Sequence, residues 1–318
     1  MDPGTGPDAL SPSIEEQLES AERALSREDE AAALHLSEQV LSRDPFSYPA
    51  LRVRQEARIG LGEREQVLEE ALRAVALKPR DPLACVLLAR LLTEQDRDLA
   101  GRLLERALLA DPRHPFALHG LGVMAAREGR FEEAEARFSQ ALESAPGFQR
   151  ARLHRALVRD QLADFEGAAD DYTRYLRDDG DDRVALYNLA SITHRELHRP
   201  DQAEELYRVL LDIDDGLTEA VVGLAVCLTE QHRFEAAEAL YLSVRDREPS
   251  ALFNLGMLYQ EHLGRPEQAR ECFEEFVSLG GEALARQSLA DRWIYAPVRL
   301  AELDQVLEEK RLRSEARR

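Results

Sequence analysis

The sequence predicts an all-α fold, a solenoid of repeated helix pairs, and three observations carry that expectation. A unit of about 34 residues recurs along most of the 318-residue chain. Within each copy apolar residues return at spacings of three and four, the period of an amphipathic helix and not of a strand. A Gly or polar turn divides each copy in the middle and a Pro commonly closes it, so a copy reads as helix, turn, helix. Such a chain needs no single large core. Each pair buries its apolar face against its neighbours, and stability accumulates along the array.

Residues 1–12, with Pro, Gly, Ser and Asp but few apolar side chains, are expected to be a flexible tail. Order is expected from Ser13, whose hydroxyl is placed to cap a helix opening at Ile14 while Glu16 reaches back to complete a capping box. The first unit, 14–47, carries Ala33, Val40 and Leu41 on its second helix and stops at Asp44-Pro45. The second, 48–80, has Arg54-Gln55 in place of a Leu-Gly step but keeps Gly62, Val67, Ala71, Ala74 and Lys78-Pro79 in register. The third, 81–114, opens with Asp81 as cap and Pro82 at the first helical position, a pairing suited to a helix start.

The fourth unit, 115–147, is the clearest copy. Leu118, Leu121, Gly122 and Ala125 share one face of its first helix, Gly129-Arg130 form the turn, Ala134, Phe138, Ala141 and Leu142 share a face of the second, and Pro146 ends it. The fifth, 148–182, substitutes Arg155-Ala156 for Leu-Gly and ends in an acidic run at 178–182. The sixth (183–217) and eighth (249–281) both have one extra residue before an Arg-Pro turn, and the seventh (218–248) lies between them. The period is lost after Gly280-Gly281, a strong helix stop. Two further helices are expected, 282–295 and about 298–314, separated by Pro297; Leu300, Leu303 and Leu307, with Trp293, would cover the open face of the last repeat. The basic residues from Lys310 to Arg318 are expected to fray.

The order in 115–146 of a large residue, Leu-Gly, a turn, an Ala, three residues to an aromatic and a closing Pro resembles the tetratricopeptide repeat, with Leu118 at the place of its usual Trp and Ala125 at that of its first Tyr. The resemblance covers residues 14–281 in about eight units. It implies a right-handed superhelix in which the first helix of every unit lines an inner, concave face along which partner segments lie. It also implies a protein-binding scaffold and no enzyme.

Sixty-one acidic against 41 basic residues give a net charge of −20, which repels nucleic-acid phosphates and anionic lipid surfaces. Lys occurs only at Lys78 and Lys310, an arginine bias we read as the mark of a GC-rich bacterial genome. The N-terminus lacks both a basic region and an apolar run, and no stretch is long enough to span a bilayer, so a cytoplasmic address is expected. Cys85, Cys227 and Cys272 are far apart and read as reduced thiols packed as small hydrophobes.

Catalytic motifs are missing. His194 and His198 stand four apart on one helix, a spacing that suits two metal ligands, with Glu196 and His232 as possible companions. The order is His-x-Glu-x-His, however, and His198 falls where the turn should be, so solvated or capping histidines are expected and no metal is assigned. The acidic runs at 178–182 and 212–216 lack the alternating ligands and distal Glu of a calcium loop. There is no Gly-rich phosphate loop and no nucleophile elbow, so no catalytic or cofactor-binding residue is assigned and no cofactor is expected.

Carried over unit by unit, the resemblance puts these residues on the inner face: Phe116, His119, Val123 and Arg127 in the fourth unit; Arg150, Leu153 and Leu157 in the fifth; Tyr187, Asn188, Ser191, His194 and Arg195 in the sixth; Val222 and Val226 in the seventh; and Phe253, Asn254 and Met257 in the eighth. An apolar stripe with Arg side chains among it, on so acidic a chain, resembles a recognition site. Some relatives hold a chaperone's terminal carboxylate with a Lys and Asn clamp; the matching places here hold Leu18 and Glu22, Cys85 and Ala89, or His119 and Val123, so that ligand is not expected. The expected partner is a protein, bound through an amphipathic helix or extended apolar segment, with no nucleic acid and no membrane insertion. The alternative is a structural or self-associating protein whose C-terminal helices dock in its own or another copy's groove, giving a homo-oligomer. A metal-dependent enzyme built on His194 and His198 ranks third.

Overall fold

The computed structural model describes residues 12–177, 180–279 and 290–315. Among them are seventeen helices and no strand: α1 (Ile14–Ser26), α2 (Glu30–Arg43), α3 (Tyr48–Gly60), α4 (Arg64–Leu77), α5 (Pro82–Leu92), α6 (Arg97–Ala110), α7 (Pro115–Arg127), α8 (Phe131–Ser144), α9 (Gln149–Gln161), α10 (Phe165–Leu176), α11 (Arg183–Arg195), α12 (Pro200–Ile213), α13 (Thr218–Glu230), α14 (Phe234–Val244), α15 (Pro249–Glu261), α16 (Pro266–Ser278) and α17 (Ala290–Glu315). Consecutive helices pack on one another, as in α1 on α2, α7 on α8 and α15 on α16, which is the all-α solenoid pattern of helix pairs. The chain falls into two compact units, Met1–Ala151 and Arg152–Arg318.

Local chemistry explains where the helices begin. The Ser13 hydroxyl accepts from the Glu16 N–H while the Glu16 carboxylate accepts from the Ser13 N–H, a reciprocal cap that satisfies two otherwise orphaned donors. Asp29, Asp81, Asp96, Asp164 and Asp182 cap α2, α5, α6, α10 and α11 through their carboxylates. Pro stands in the first turn of α5, α7, α12, α15 and α16, where its missing N–H costs nothing.

The turns inside the pairs, that between α5 and α6 excepted, each place one residue in the left-handed region. Gly62, Gly129 and Gly264 have φ of 86°, 74° and 61°, but Glu28, Ala163, His198 and His232 occupy the same left-handed region at 58°, 58°, 52° and 60°. A side chain costs about 1–2 kcal/mol there. Ala163 is exposed, so Ala163→Gly gives up no packing. The greater freedom of Gly in the unfolded chain returns part of the gain, leaving an expected stabilisation of about 0.5–1 kcal/mol. Thermal denaturation followed by circular dichroism should show a raised midpoint; an unchanged or lower one contradicts the strain assignment.

Cores form between neighbouring pairs. In the first unit Ala21, Ala33, Val53 and Ala57 make one, Cys85, Leu88, Ala100, Leu104 and Ala107 a second, and Leu118, Ala141, Leu142 and Ala151 a third. In the second unit Ala156, Ala168, Tyr172 and Leu189 pack together, and a larger cluster runs from Leu186 through Tyr207, Tyr241 and Phe273 to Ala296 and Leu303 of α17. Small residues let the helices approach: a Cβ on Gly122 would stand 2.6 Å from the Phe138 ring, and one on Gly256 2.8 Å from that of Phe273. The three cysteines are free and buried. Burial pushes the Cys227 thiol up to about 12 and that of Cys272 up to about 11, so both stay neutral fillers of the core.

Two departures from the repeat pattern are compensated. In the fifth copy Arg155 pairs with the fully buried Asp171, joined by Arg159. In the second, the Gln55 side-chain carbonyl accepts from Arg90 Nη2 at 2.8 Å.

One expectation is corrected. Pro297 does not separate two helices: α17 runs through it without a break. Proline removes one backbone hydrogen bond, to the carbonyl four residues earlier, at a cost of about 3 kcal/mol. Anchors on both sides of it, Trp293 and Ala296 before and Leu300 and Leu303 after, pack in the cluster formed with α16 and hold one helical course. Residues 1–11, Asp178, Asp179, the Gly280-Gly281 stop, the start of the helix expected from 282 and residues 316–318 lie outside the described residues. No helix of the described residues is long and apolar enough to cross a membrane.

Candidate partner-binding faces

In the first unit, the first helices of successive pairs bring a charged and aromatic cluster together. Arg52 of α3 is 3% exposed, with Nη2 on the Glu22 carboxylate of α1 and Nη1 2.9 Å from Glu56 Oε2. Arg90 of α5 shares that glutamate, its Nη1 lying 2.9 Å from Glu56 Oε1, and its buried Nε has no hydrogen-bond partner. The Tyr48 ring stacks on Phe116 with centroids 3.9 Å apart, and Phe116 meets Phe148 edge-on at 4.9 Å. His119 packs between Phe138 at 5.6 Å and Phe148 at 5.0 Å. His114 Nδ1 accepts from the Ala117 N–H at 3.3 Å; burial holds its pKa below the ordinary histidine value, which keeps the ring neutral as an acceptor must be.

Arg150, just past Phe148, is exposed by accessible surface, yet desolvation and the Arg52 guanidinium hold its pKa below the usual arginine range. The side chain is thus crowded by its neighbours yet open to solvent. Burial likewise raises the Tyr48 pKa, opposed by the charges of Arg90, Arg52 and Arg150. Val123 is half-buried, and Arg127 is exposed and paired with Glu94.

In the second unit the expected residues divide by environment. Leu157 is 39% exposed, Arg195 is exposed and Leu153 is half-buried. Asn188, Ser191 and Arg195 line a small polar hollow with Asp160 and Glu196. Burial there, with the Glu196 charge, raises the Asp160 pKa. Other members turn inward. His194 is 9% exposed with Nε2 3.1 Å from Glu230 Oε1, and Val222 is 8% exposed. Asn188 Nδ2 donates to the Tyr172 hydroxyl at 3.3 Å, and the buried Asn254 Nδ2 has no partner. Tyr187 is half-buried, edge-on to Tyr207 at 6.3 Å. Val226, Phe253 and Met257 pack partly against the core, and the Arg292 guanidinium of α17 lies 5.9 Å from the Phe253 ring centroid.

His198 is exposed in the turn after α11, while His194 is held by Glu230, so this pair does not converge. Among the described residues no group of three or more His, Cys, Asp or Glu is placed to hold a metal ion. Sequence reading missed Tyr48, Arg52, Glu56, Arg90 and Phe148. The signal was available: the inner-face spacing of the fourth unit, extended to the second and third, falls on Arg52 and Glu56, then on Val86 and Arg90.

Comparison with known proteins agrees with this architecture. Family profiles described as tetratricopeptide repeat match residues 91–159 and 194–260, 153–218, and 250–279, which together run unbroken over 91–279. Cellulose synthase operon protein C of Xanthomonas axonopodis pv. citri (strain 306) is 30% identical over 244 residues, covering 74% of this chain; the chain spans 16% of that protein's length. The crystal structure of YrrB, described as a TPR protein with an unusual peptide-binding site, superposes with a TM-score of 0.53 at 18% identity, over 64% of this chain and 96% of YrrB. The Cut9-Hcn1 hetero-tetramer of APC/C gives a TM-score of 0.54 at 15% identity, over 93% of this chain and 57% of that one. At such identities the structural likeness speaks to fold alone. Repeated helix pairs, close-packed glycines against aromatic rings and profile matches over more than half its length make this chain a member of the tetratricopeptide repeat family.

Proposed function

We propose that the chain is a non-enzymatic adaptor that holds a helical or extended segment of another protein along the inner faces of its first helices. Tetratricopeptide repeats indicate a protein-interaction scaffold, and the finer reading is supported above all by the half-open aromatic surface of Tyr48, Phe116 and Phe148. The aromatic rings that serve the core, Phe138, Tyr172, Tyr241 and Phe273, are 2% exposed or less. A ring cluster that packs against the core on one side and keeps part of its surface open on the other is a feature expected of a docking surface.

The test is affinity capture from cells of the source organism, using the full chain, an inner-face variant (Phe116→Ala with Leu157→Glu) and an outer control, Leu109→Glu, at a residue 86% exposed. A protein retained by the full chain and the control but lost by the inner-face variant, with helicity unchanged by circular dichroism, is the expected result. Equal capture by all three removes the proposal.

A second reading, self-association through α17, is favoured by one observation: Ile294, Tyr295 and Val298 are 63%, 61% and 54% exposed close together on that helix. It predicts concentration-dependent association in sedimentation equilibrium, abolished by Ile294→Glu with Val298→Glu. A full chain that stays monomeric throughout the titration eliminates it.

A further inference from the structure

We propose that Arg150, backed by Arg52 and Arg90 and flanked by the Tyr48–Phe116 ring pair, forms a subsite in the first unit for one acidic side chain of the bound segment, next to an apolar or aromatic residue of that segment. This rests on the adaptor reading and names the chemistry of its partner.

The cluster is one acceptor short. Arg52 is satisfied by Glu22 and Glu56, but Arg90 must share Glu56 and leaves its buried Nε without a partner. Arg150 has neither an ion pair nor a hydrogen bond among the described residues, whereas Arg127 of the same face is paired with Glu94. The guanidinium groups also work against one another: Arg52 and Arg150 both disfavour the charge on Arg90, and Arg52 that on Arg150. A carboxylate arriving at Arg150 would relieve that repulsion and form charge-assisted hydrogen bonds.

The local charge selects the ligand. Three guanidinium groups against two carboxylates leave a single excess positive charge, on a chain whose total is −20. One carboxylate neutralises it, while the near-dianionic phosphate of a phosphorylated residue would also face Glu22 and Glu56. The Tyr48, Phe116 and Phe148 rings supply the neighbouring apolar wall. The expected ligand is thus a segment with Asp or Glu beside an aliphatic or aromatic side chain.

The experiment is selection of random linear peptides displayed on phage against the full chain, followed by binding measurements with the strongest synthetic peptide. Selected peptides should be enriched in Asp or Glu beside an apolar residue. Changing that acid to its amide should weaken binding about tenfold. The same change should have no effect on binding to Arg150→Ala, and Arg150→Lys should keep part of the affinity. Because Arg150 makes no ion pair, its replacement should leave helicity intact, as circular dichroism would verify. Peptides without an acidic excess, or bound equally by Arg150→Ala, overturn the subsite; if they are still lost with Phe116→Ala, the adaptor reading survives. Peptides indifferent to both substitutions, or no peptides at all, overturn both. Tighter binding of a phosphoserine in the acidic position overturns the single-carboxylate assignment.

Discussion

Asp171→Leu is expected to destabilise the second unit by about 3–5 kcal/mol, among the largest effects open to a single substitution in this chain. The Asp171 carboxylate is wholly buried and accepts from Arg155 Nε at 2.8 Å, Arg155 Nη2 at 2.7 Å and Arg159 Nη1 at 2.9 Å. Removing it leaves two guanidinium groups whose side chains are only 17% and 19% exposed. The sixth and seventh copies have Leu189 with Leu206 and Leu224 with Leu240 at the places of Arg155 and Asp171. The double change Arg155→Leu, Asp171→Leu should therefore recover part of the loss, because it removes one of the two stranded guanidinium groups, while Arg159 keeps its contacts with Asp164 and the Gly167 carbonyl. Urea denaturation of the single and double variants decides it. A double variant as weak as Asp171→Leu alone would show that the polar triad has no apolar equivalent here.

Phe138→Ala should cost about 3–5 kcal/mol, since the ring is 1% exposed and its loss leaves a cavity between α7 and α8. The sharper test lies in the residue it touches. With Phe138 in place, Gly122→Ala puts a Cβ 2.6 Å from the ring and should cost about 1–3 kcal/mol in forced repacking. In the Phe138→Ala background the clash is gone, and the same substitution should stabilise by about 0.5–1 kcal/mol, because Ala is the better helix former. Thermal melts of the four proteins measure both effects. If Gly122→Ala costs the same in both backgrounds, the glycine is not required by the ring.

Much of this fold was legible because its signals are local and repeated. A cap such as Ser13 with Glu16, a Pro at the first helical position and a glycine facing an aromatic all act within a few turns of chain, and they recur from copy to copy. The period that shows a helix pair also shows which faces are apolar, so the class of fold follows from the pattern alone. Pro297 is where that reasoning failed. A proline is a local signal for a break, but contacts with α16 on either side of it outweigh the lost hydrogen bond. Such contacts are made by residues distant in sequence and leave no periodic trace.

The candidate site was only partly legible. Helical spacing puts Phe116, His119 and Arg150 on first helices, but it says nothing of how far each helix is rotated about its own axis, so it cannot separate the exposed Leu157 from the buried Val222 and His194. It also missed the pairing across three helices of Glu22, Arg52, Glu56 and Arg90, because ion pairs between repeats have no fixed spacing.

By itself the sequence determined the helical period, the family and the acidic character of the chain, since each is carried by residue types at short separations. Only the tertiary structure decided which of the like-spaced side chains are spent on packing and which are left open, and which arginines of the first unit are held in ion pairs between repeats. Burial and charge pairing are properties of neighbours brought together by folding, and neighbours from different repeats are set by helix rotation and side-chain volume that no single copy of the repeat encodes.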